Sequence, residues 1–370
     1  MKIEDYLEIE DEKKARLRQT ASFLPAVNIP ASLQRMGTSP FEQALIKEIV
    51  PIMETTLEGA VPSPAYARVC LSLSCEHNCP GCNCGGKPRN TRSLMNPANF
   101  ARLLESLHFL QIRYIDFSGG GEPTLHPDLE RLAGMCLRDS FRLGLATNAA
   151  GLNEPMIRLL VDGFSFLRVN LDASNDAVYR RIHHPTNPTE FRRVLDNLDR
   201  IVSERAKRKS NLVVGAKVRL CQSNLNFLEE IVALVKDMGL DYVQFSVNRF
   251  ASDHVLSEQM KGSEKLIKDL KRGYHPFPVY SKTECGEQER GCRLSSVQLV
   301  IEPSGEVYSC PHAAQHPEAL SFGNIFRSSA ERLWLGAKHR QVVRHLQQND
   351  CPLKDCRWHF LSEVAMTSLG

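Results

Sequence analysis

The sequence predicts an α/β fold: a partial (β/α)6 barrel of parallel strands, followed by a small C-terminal β-hairpin-plus-helix domain. Three observations lead there. Six apolar runs alternate with helix-periodic stretches from residue 66 to about 271. Polar and glycine-rich segments follow the ends of those runs. The cysteines gather near the two ends of this stretch rather than along it. Six strand-then-helix units imply parallel pairing through right-handed crossovers, two short of a closed eight-stranded barrel. In such sheets the functional loops leave the carboxyl ends of the strands.

Composition bounds the rest. Of 370 residues, 24% are charged and 42% hydrophobic, and the formal net charge is +3. That is globular composition, long enough for about two domains. The boundaries fall at 1–65 (a helical extension), 66–272 (the barrel) and 273–370 (the C-terminal domain). No apolar run reaches the roughly 18 residues of a membrane-spanning helix. The N-terminus has no apolar core of a secretory signal. A cytoplasmic location is therefore expected, with no membrane and no nucleic acid among the partners. There are nevertheless 12 cysteines. In a reducing compartment, clustered cysteines are metal ligands or reactive thiols more often than disulfides.

Taken in order, the first strand is Arg68–Ser74, with Cys70 inside it. It runs into Cys75-Glu-His-Asn-Cys79-Pro-Gly-Cys82, a C-x3-C-x2-C spacing, with Cys84 two residues beyond. Three thiolates on a short loop can hold three corners of a 4Fe–4S cube and leave the fourth iron open. With Cys84 the same loop can instead close a tetrahedral zinc site. A helix over 100–110 leads to the second strand, Arg113–Ser118, and then to Gly119-Gly120-Gly121-Glu122-Pro123. Residues without a Cβ let the backbone approach a ligand, and the carboxylate beside them can accept from an ammonium group. Cys136 falls in a helical pattern and is expected in the core. The third strand, Arg142–Thr147, ends in Thr147-Asn148-Ala149, and the fourth, Phe166–Leu171, in Asn170-Leu171-Asp172. A helix over 191–205 places Phe191, Val194, Leu195, Leu198 and Ile201 on one face. The fifth strand, Leu212–Leu220, carries Lys217 and Arg219. A helix over 225–238, stopped by Gly239, precedes the sixth strand, Tyr242–Val247. All these strand-end polar groups would meet at one rim.

Beyond the barrel, residues 297–302 and 306–309 read as a hairpin turning at Pro303-Ser304-Gly305. Cys292 and Cys310 flank it. Phe322-Gly323-Asn324-Ile325, an amphipathic helix over 330–346, and finally Cys351 and Cys356 follow. Two plus two cysteines suffice for one site with four protein ligands. Cys285 is the spare thiol, a candidate hydrogen-atom donor.

The succession Cys75–Cys79–Cys82, Gly120-Gly121-Glu122-Pro123, Thr147-Asn148 and Asn170-Leu171-Asp172 resembles the radical S-adenosylmethionine superfamily over roughly residues 66–250. The resemblance implies a 4Fe–4S cluster on the three cysteines, its open iron chelated by S-adenosylmethionine. It places Gly120, Gly121 and Glu122 at the methionine amino group and Asn170 and Asp172 near the ribose or carboxylate. Thr147, Asn148 and Lys217 share that rim, and Arg180 or Arg181 stands in for a basic residue usual after the fourth strand. Gly81 occupies a position that is usually aromatic. Ala149 replaces the glycine of the usual Thr-Asn-Gly, so a positive φ is not expected there. The C-terminal stretch resembles the SPASM/Twitch extension. That implies an iron–sulfur domain with one auxiliary 4Fe–4S cluster on Cys292, Cys310, Cys351 and Cys356.

The implied activity is reductive cleavage of S-adenosylmethionine to a 5′-deoxyadenosyl radical, fed by an external electron donor such as flavodoxin or ferredoxin. An auxiliary cluster with four protein ligands has no open iron, so electron transfer is its natural task. The first expectation is thus oxidation (dehydrogenation) of a small-molecule substrate, a sugar, aminocyclitol or nucleoside, in natural product biosynthesis. Residues 1–60 are too short for the leader-binding module of peptide-modifying relatives. Epimerisation with Cys285 returning the hydrogen, and radical peptide maturation, are the alternatives within this chemistry. A zinc-binding scaffold without radical chemistry is the alternative outside it.

Overall fold

The computed structural model describes residues 39–55, 63–80, 82, 93–247, 255–282, 292, 294–311 and 320–348. Helix α1 spans Pro40–Thr55, strand β1 Tyr66–Val69, α2 Pro97–Phe109, β2 Tyr114–Phe117, α3 Leu129–Arg138 and β3 Arg142–Thr147. Then come α4 (Glu154–Gly163), β4 (Phe164–Asn170), α5 (Asp176–His183), α6 (Glu190–Arg208) and β5 (Val213–Leu220). They are followed by α7 (Leu228–Asp237), β6 (Tyr242–Val247), α8 (Val255–Gly273) and β7 (Val279–Lys282). The chain continues through β8 (Gln298–Ile301), β9 (Glu306–Tyr308), β10 (Ser321–Asn324), α9 (Ala330–Trp334) and α10 (Ala337–Gln347).

The elements form an α/β fold whose strands pair mostly in parallel, divided into two compact units. One unit holds the described parts of residues 40–74, 84–144 and 285–370. Its strands run in the order β10-β9-β8-β1-β2. β1 pairs in parallel with β2 on one side and with β8 on the other, Tyr66 opposite Gln298 and Val69 opposite Ile301. The β8–β9 hairpin is antiparallel and turns at Gly305, whose φ of 86° suits a residue without a Cβ. All four residues of β1 are buried, which is why a parallel strand reads as an unbroken run rather than an alternation. Within it Arg68 is buried against its register partner Asp116, Nη2 to Oδ2 3.1 Å, so that neither charge is left unpaired.

The other unit holds the described parts of residues 1–39, 75–83 and 145–284. Its strands run β4-β5-β6-β7, all parallel. β3 begins in the first unit and ends in the second. Asparagine caps start its helices: the Asn153 side chain accepts from Met156 N (2.8 Å) and that of Asn175 from Val178 N (3.0 Å), each worth about 1 kcal/mol. Phe191, Val194, Leu198 and Ile201 of α6 are buried, as their spacing predicts.

Three expectations change. β1 stops at Val69 instead of 74, because Cys70 N and the residues after it hydrogen-bond outside the β1–β2 ladder. Parallel pairing continues past residue 272 into β7, which sits beside β6, and β8 adds a further parallel partner on β1. The single helix over 330–346 is two, parted at Leu335-Gly336, where Gly336 is extended (ψ 160°) and precedes α10 as its cap.

His339 in α10 yields a stability prediction. Its Nδ1 meets Trp334 O at 2.6 Å, its ring stacks on Trp334 (4.1 Å) and Phe322 (4.5 Å), and the side chain is fully buried. Burial, only partly offset by that hydrogen bond, pulls its pKa down to about 4. The folded state therefore binds fewer protons than the unfolded chain between pH ~4 and ~6.5. Stability present above pH ~6.5 is lost as the pH falls towards 4, by about 2 kcal/mol at pH 5. Urea unfolding at pH 7.5 and pH 5 should show this drop, and His339→Phe should flatten it.

Candidate functional site

The cysteine loop lies in the second unit from Cys75 onward. Cys75, Cys79 and Cys82 are half-buried, and Cys82 N donates to Cys79 O (3.3 Å). His77, between the first two, pins the loop. Its Nε2 bonds the carboxylate of Glu190 at the start of α6, and its ring meets Tyr179 edge-on (5.8 Å) and His183 at 4.8 Å. The backbone adds Asn78 N to His183 O (3.0 Å) and Thr186 N to Glu76 O (3.3 Å). Glu190 is 2% exposed, a burial that a carboxylate tolerates only when paired.

Cys79 Sγ lies 3.4 Å from His183 Nδ1, and the ligand atoms of His77, Cys79 and His183 fall within 4.8 Å of one another. Burial alone would raise the Cys79 thiol. Hydrogen bonds from His183 and His77, with the charges of His183 and Arg219, reverse this and draw it down to about 6. His77 moves the other way, to about 10: burial opposes its charge, but hydrogen bonds to Cys79 and Glu190 outweigh it. A thiolate is the form that binds metal. Three cysteines on one loop, one of them biased towards thiolate, fit the iron–sulfur cluster that the spacing suggests.

The other rim residues of this unit surround the same loop. Asn148 Nδ2 donates to Glu76 Oε1 (3.0 Å), while Glu76 Oε2 is buried without a hydrogen-bond partner. Thr147 Oγ1 accepts from Ala149 N (2.9 Å). Ala149 has φ 65°, against expectation. The turn keeps its left-handed geometry because Asn197 Nδ2 holds Ala149 O (2.8 Å), at a local cost of about 1–2 kcal/mol for a residue with a Cβ. Asn170 and Lys217 are half-buried register partners on β4 and β5. Asp172 (φ 55°) accepts from Arg219 N and stands 3.6 Å from Arg219 Nη2 and 3.5 Å from His183 Nε2.

Arg180 does not join this group. It is exposed and pairs with Asp176 at 2.6 Å. Tyr179 and His183 take the inward face of α5, and Arg180 lies about 100° round the helix from Tyr179. Arg219 supplies the cation beside Cys79 instead.

The glycine loop belongs to the first unit. Gly120 has φ 58°, and a Cβ there would meet Cys70 Sγ at 2.2 Å. A Cβ on Gly121 would meet Ser74 O at 2.1 Å. Glu122 N donates to Ser74 O (2.7 Å), and Glu122 Oε1 accepts from Thr124 N (3.0 Å) and Thr124 Oγ1 (2.8 Å), capping the short turn Pro123–Leu125. Cys70 Sγ donates to Ser72 O (3.2 Å) and contacts Gly119 O (3.4 Å). Both Cβ positions are filled by the protein's own atoms, so the two glycines are what lets this loop pack against the backbone that follows β1.

In the same unit Cys292 and Cys310 flank the hairpin and are buried. Cys351, Cys356 and Cys285 lie outside the described residues, as do Gly81 and Cys84. Cys136 is fully buried, and burial pushes its thiol well up, as a core position requires. Glu76 and Glu190 brace the cysteine loop but were not singled out from sequence. The available signal was that Glu76 and His77 stand inside the cysteine motif itself.

Residues 69–219 match the Radical SAM superfamily, and residues 292–357 match SPASM, an iron–sulfur cluster-binding domain. The PqqA peptide cyclase of Streptomyces rochei is 22% identical over 313 residues, covering 81% of this chain and 83% of that protein. The mycofactocin maturase MftC of Mycolicibacterium smegmatis is 23% identical over 321 residues, covering 81% and 76%. The crystal structure of Streptococcus suis SuiB bound to precursor peptide SuiA superposes with a TM-score of 0.62 at 13% identity, covering 88% of this chain and 76% of that one. At that identity the likeness is one of fold.

Proposed function

Since this chain belongs to the radical S-adenosylmethionine superfamily and carries a SPASM domain, with the 4Fe–4S clusters and S-adenosylmethionine they entail, we propose that it matures a precursor peptide. One observation carries this reading. The two relatives named for peptide cyclisation and maturation match along 81% of the chain, across both domains and not the barrel alone. The small polar substrate expected from sequence rested on residues 1–60, of which 1–38 and 56–60 lie outside the described residues.

When bound, the cluster and S-adenosylmethionine supply the 5′-deoxyadenosyl radical that removes a hydrogen atom. The chain's part is to hold and orient. Cys75, Cys79 and Cys82 ligate the first cluster on a loop braced by His77 and Glu190. By the family resemblance, Gly120, Gly121 and Glu122 would serve the methionine amino group and Asn170 and Asp172 the ribose or carboxylate, with Thr147, Asn148 and Lys217 as further cofactor-binding residues. Cys292, Cys310, Cys351 and Cys356 would hold an auxiliary cluster with no open iron, and such a cluster would supply electron transfer. A low-potential donor of the flavodoxin or ferredoxin class supplies the reducing electron.

The test is an anaerobic incubation of the reconstituted full chain with S-adenosylmethionine and dithionite. Synthetic peptides encoded by the short reading frames beside its gene are set against a panel of sugars, aminocyclitols and nucleosides. A peptide that raises 5′-deoxyadenosine formation and loses two hydrogens supports oxidative maturation. Deuterium gained from deuterated water, without mass loss, would point to epimerisation of the peptide. Turnover confined to the small molecules overturns the peptide reading.

A further inference from the structure

We infer that His183 is a positioning residue that sets the reduction potential of the N-terminal cluster, by donating a hydrogen bond from Nδ1 to the Cys79 sulfur. The contact is 3.4 Å, and His183 is 2% exposed, so water does not compete for it. Both ends are fixed. The imidazole rests on Tyr179 (4.4 Å) and His77 (4.8 Å), with its Nε2 3.5 Å from the Asp172 carboxylate. The backbone beside Cys79 is tied to the same residue, Asn78 N donating to His183 O at 3.0 Å. With Cys79 a cluster thiolate, the bond requires the proton on Nδ1, pointing at sulfur.

Hydrogen bonds to cluster sulfurs are among the main determinants of iron–sulfur potentials. A donor withdraws electron density from the thiolate. It therefore stabilises the reduced cluster, which carries one more electron, over the oxidised one. Removing it makes the cluster harder to reduce by the same external donor. The inference rests on Cys79 being a ligand of that cluster and is independent of the peptide reading.

The test is an EPR-monitored redox titration of the reconstituted full chain, following the signal that changes when S-adenosylmethionine is added. His183→Phe and His183→Met remove the donor, while His183→Asn keeps an N–H near the position of Nδ1. Tyr179→Phe removes a neighbouring hydroxyl that touches no sulfur. The donor-free variants should show about a tenfold smaller reduced-to-oxidised ratio at a fixed potential, a midpoint lower by ~59 mV for one electron. His183→Asn and Tyr179→Phe should stay near wild type. A wild-type midpoint in either loaded donor-free variant overturns the inference, as does an equal fall in Tyr179→Phe. Cys79→Ala is run alongside. Retention of the S-adenosylmethionine-responsive signal in that variant would show that Cys79 is no ligand, a failure distinct from the first.

Discussion

Replacing Cys75, Cys79 and Cys82 together by Ala should abolish 5′-deoxyadenosine formation altogether. Two 4Fe–4S clusters correspond to about eight irons per chain, and the triple variant should retain about four, those of the auxiliary site. The reason lies in the donor set. Among the described residues the nearest other ligand atoms are those of two histidines, and His77 is already committed to Glu190 while His183 lies between Cys79 and Asp172. The loop itself should keep its course, because the ties through Asn78 N and Thr186 N remain when the Cys79 Sγ contact to His183 is lost. Circular dichroism should therefore match the parent while the brown colour weakens by half. A colourless parent containing zinc would instead favour the scaffold reading, and a triple variant that still cleaved S-adenosylmethionine would disprove the assignment of these cysteines.

Gly121→Ala should be the most damaging single methyl group that can be added to the described glycines of this loop. Its Cβ would lie 2.1 Å from Ser74 O and 2.6 Å from Leu73 C, both main-chain atoms that cannot rotate aside. The strands must part, and the first bond to go is Glu122 N to Ser74 O. Overpacking of this kind costs about 1–3 kcal/mol. Displacing a positioning loop by about 1 Å is worth up to ~100-fold in rate. Thermal unfolding and titration of S-adenosylmethionine binding would register both effects. Gly134→Ala in α3 is the matched control: its nearest neighbour would be an Arg138 guanidinium nitrogen at 3.6 Å, and neither quantity should fall.

Much of this arrangement was legible in the sequence, and the unread parts share a cause. Strands β3 and β6 begin and end where their apolar runs do, because those runs are bounded by polar residues on both sides. β1 was overextended because Leu71 and Leu73 continue its pattern, while only pairing geometry decides where a ladder ends. β7 has four residues, too few for periodicity to speak, and β8 was read as a hairpin strand but its parallel partner β1 is remote in sequence. The site shows the same division. The cysteines and glycines announce themselves by spacing, which is local. The Glu190–His77 pair joins residues 113 positions apart, and the His183–Cys79 contact spans 104. Ala149 misled for a different reason: a side chain predicts its own preferred φ, but Asn197 supplies the hydrogen bond that overrules it.

The parallel pairing of β1 with β8 also has a consequence for how the chain emerges from the ribosome. Tyr66 and its partner Gln298 are 232 residues apart. At roughly 5–20 residues per second, β1 waits about 10–50 s for the strand that covers one of its edges. Throughout that interval a buried-type strand edge is open to pairing with another chain. Truncation before residue 298 would make the wait permanent, so the C-terminal domain is a structural part of the fold around β1 and not a detachable electron-transfer module.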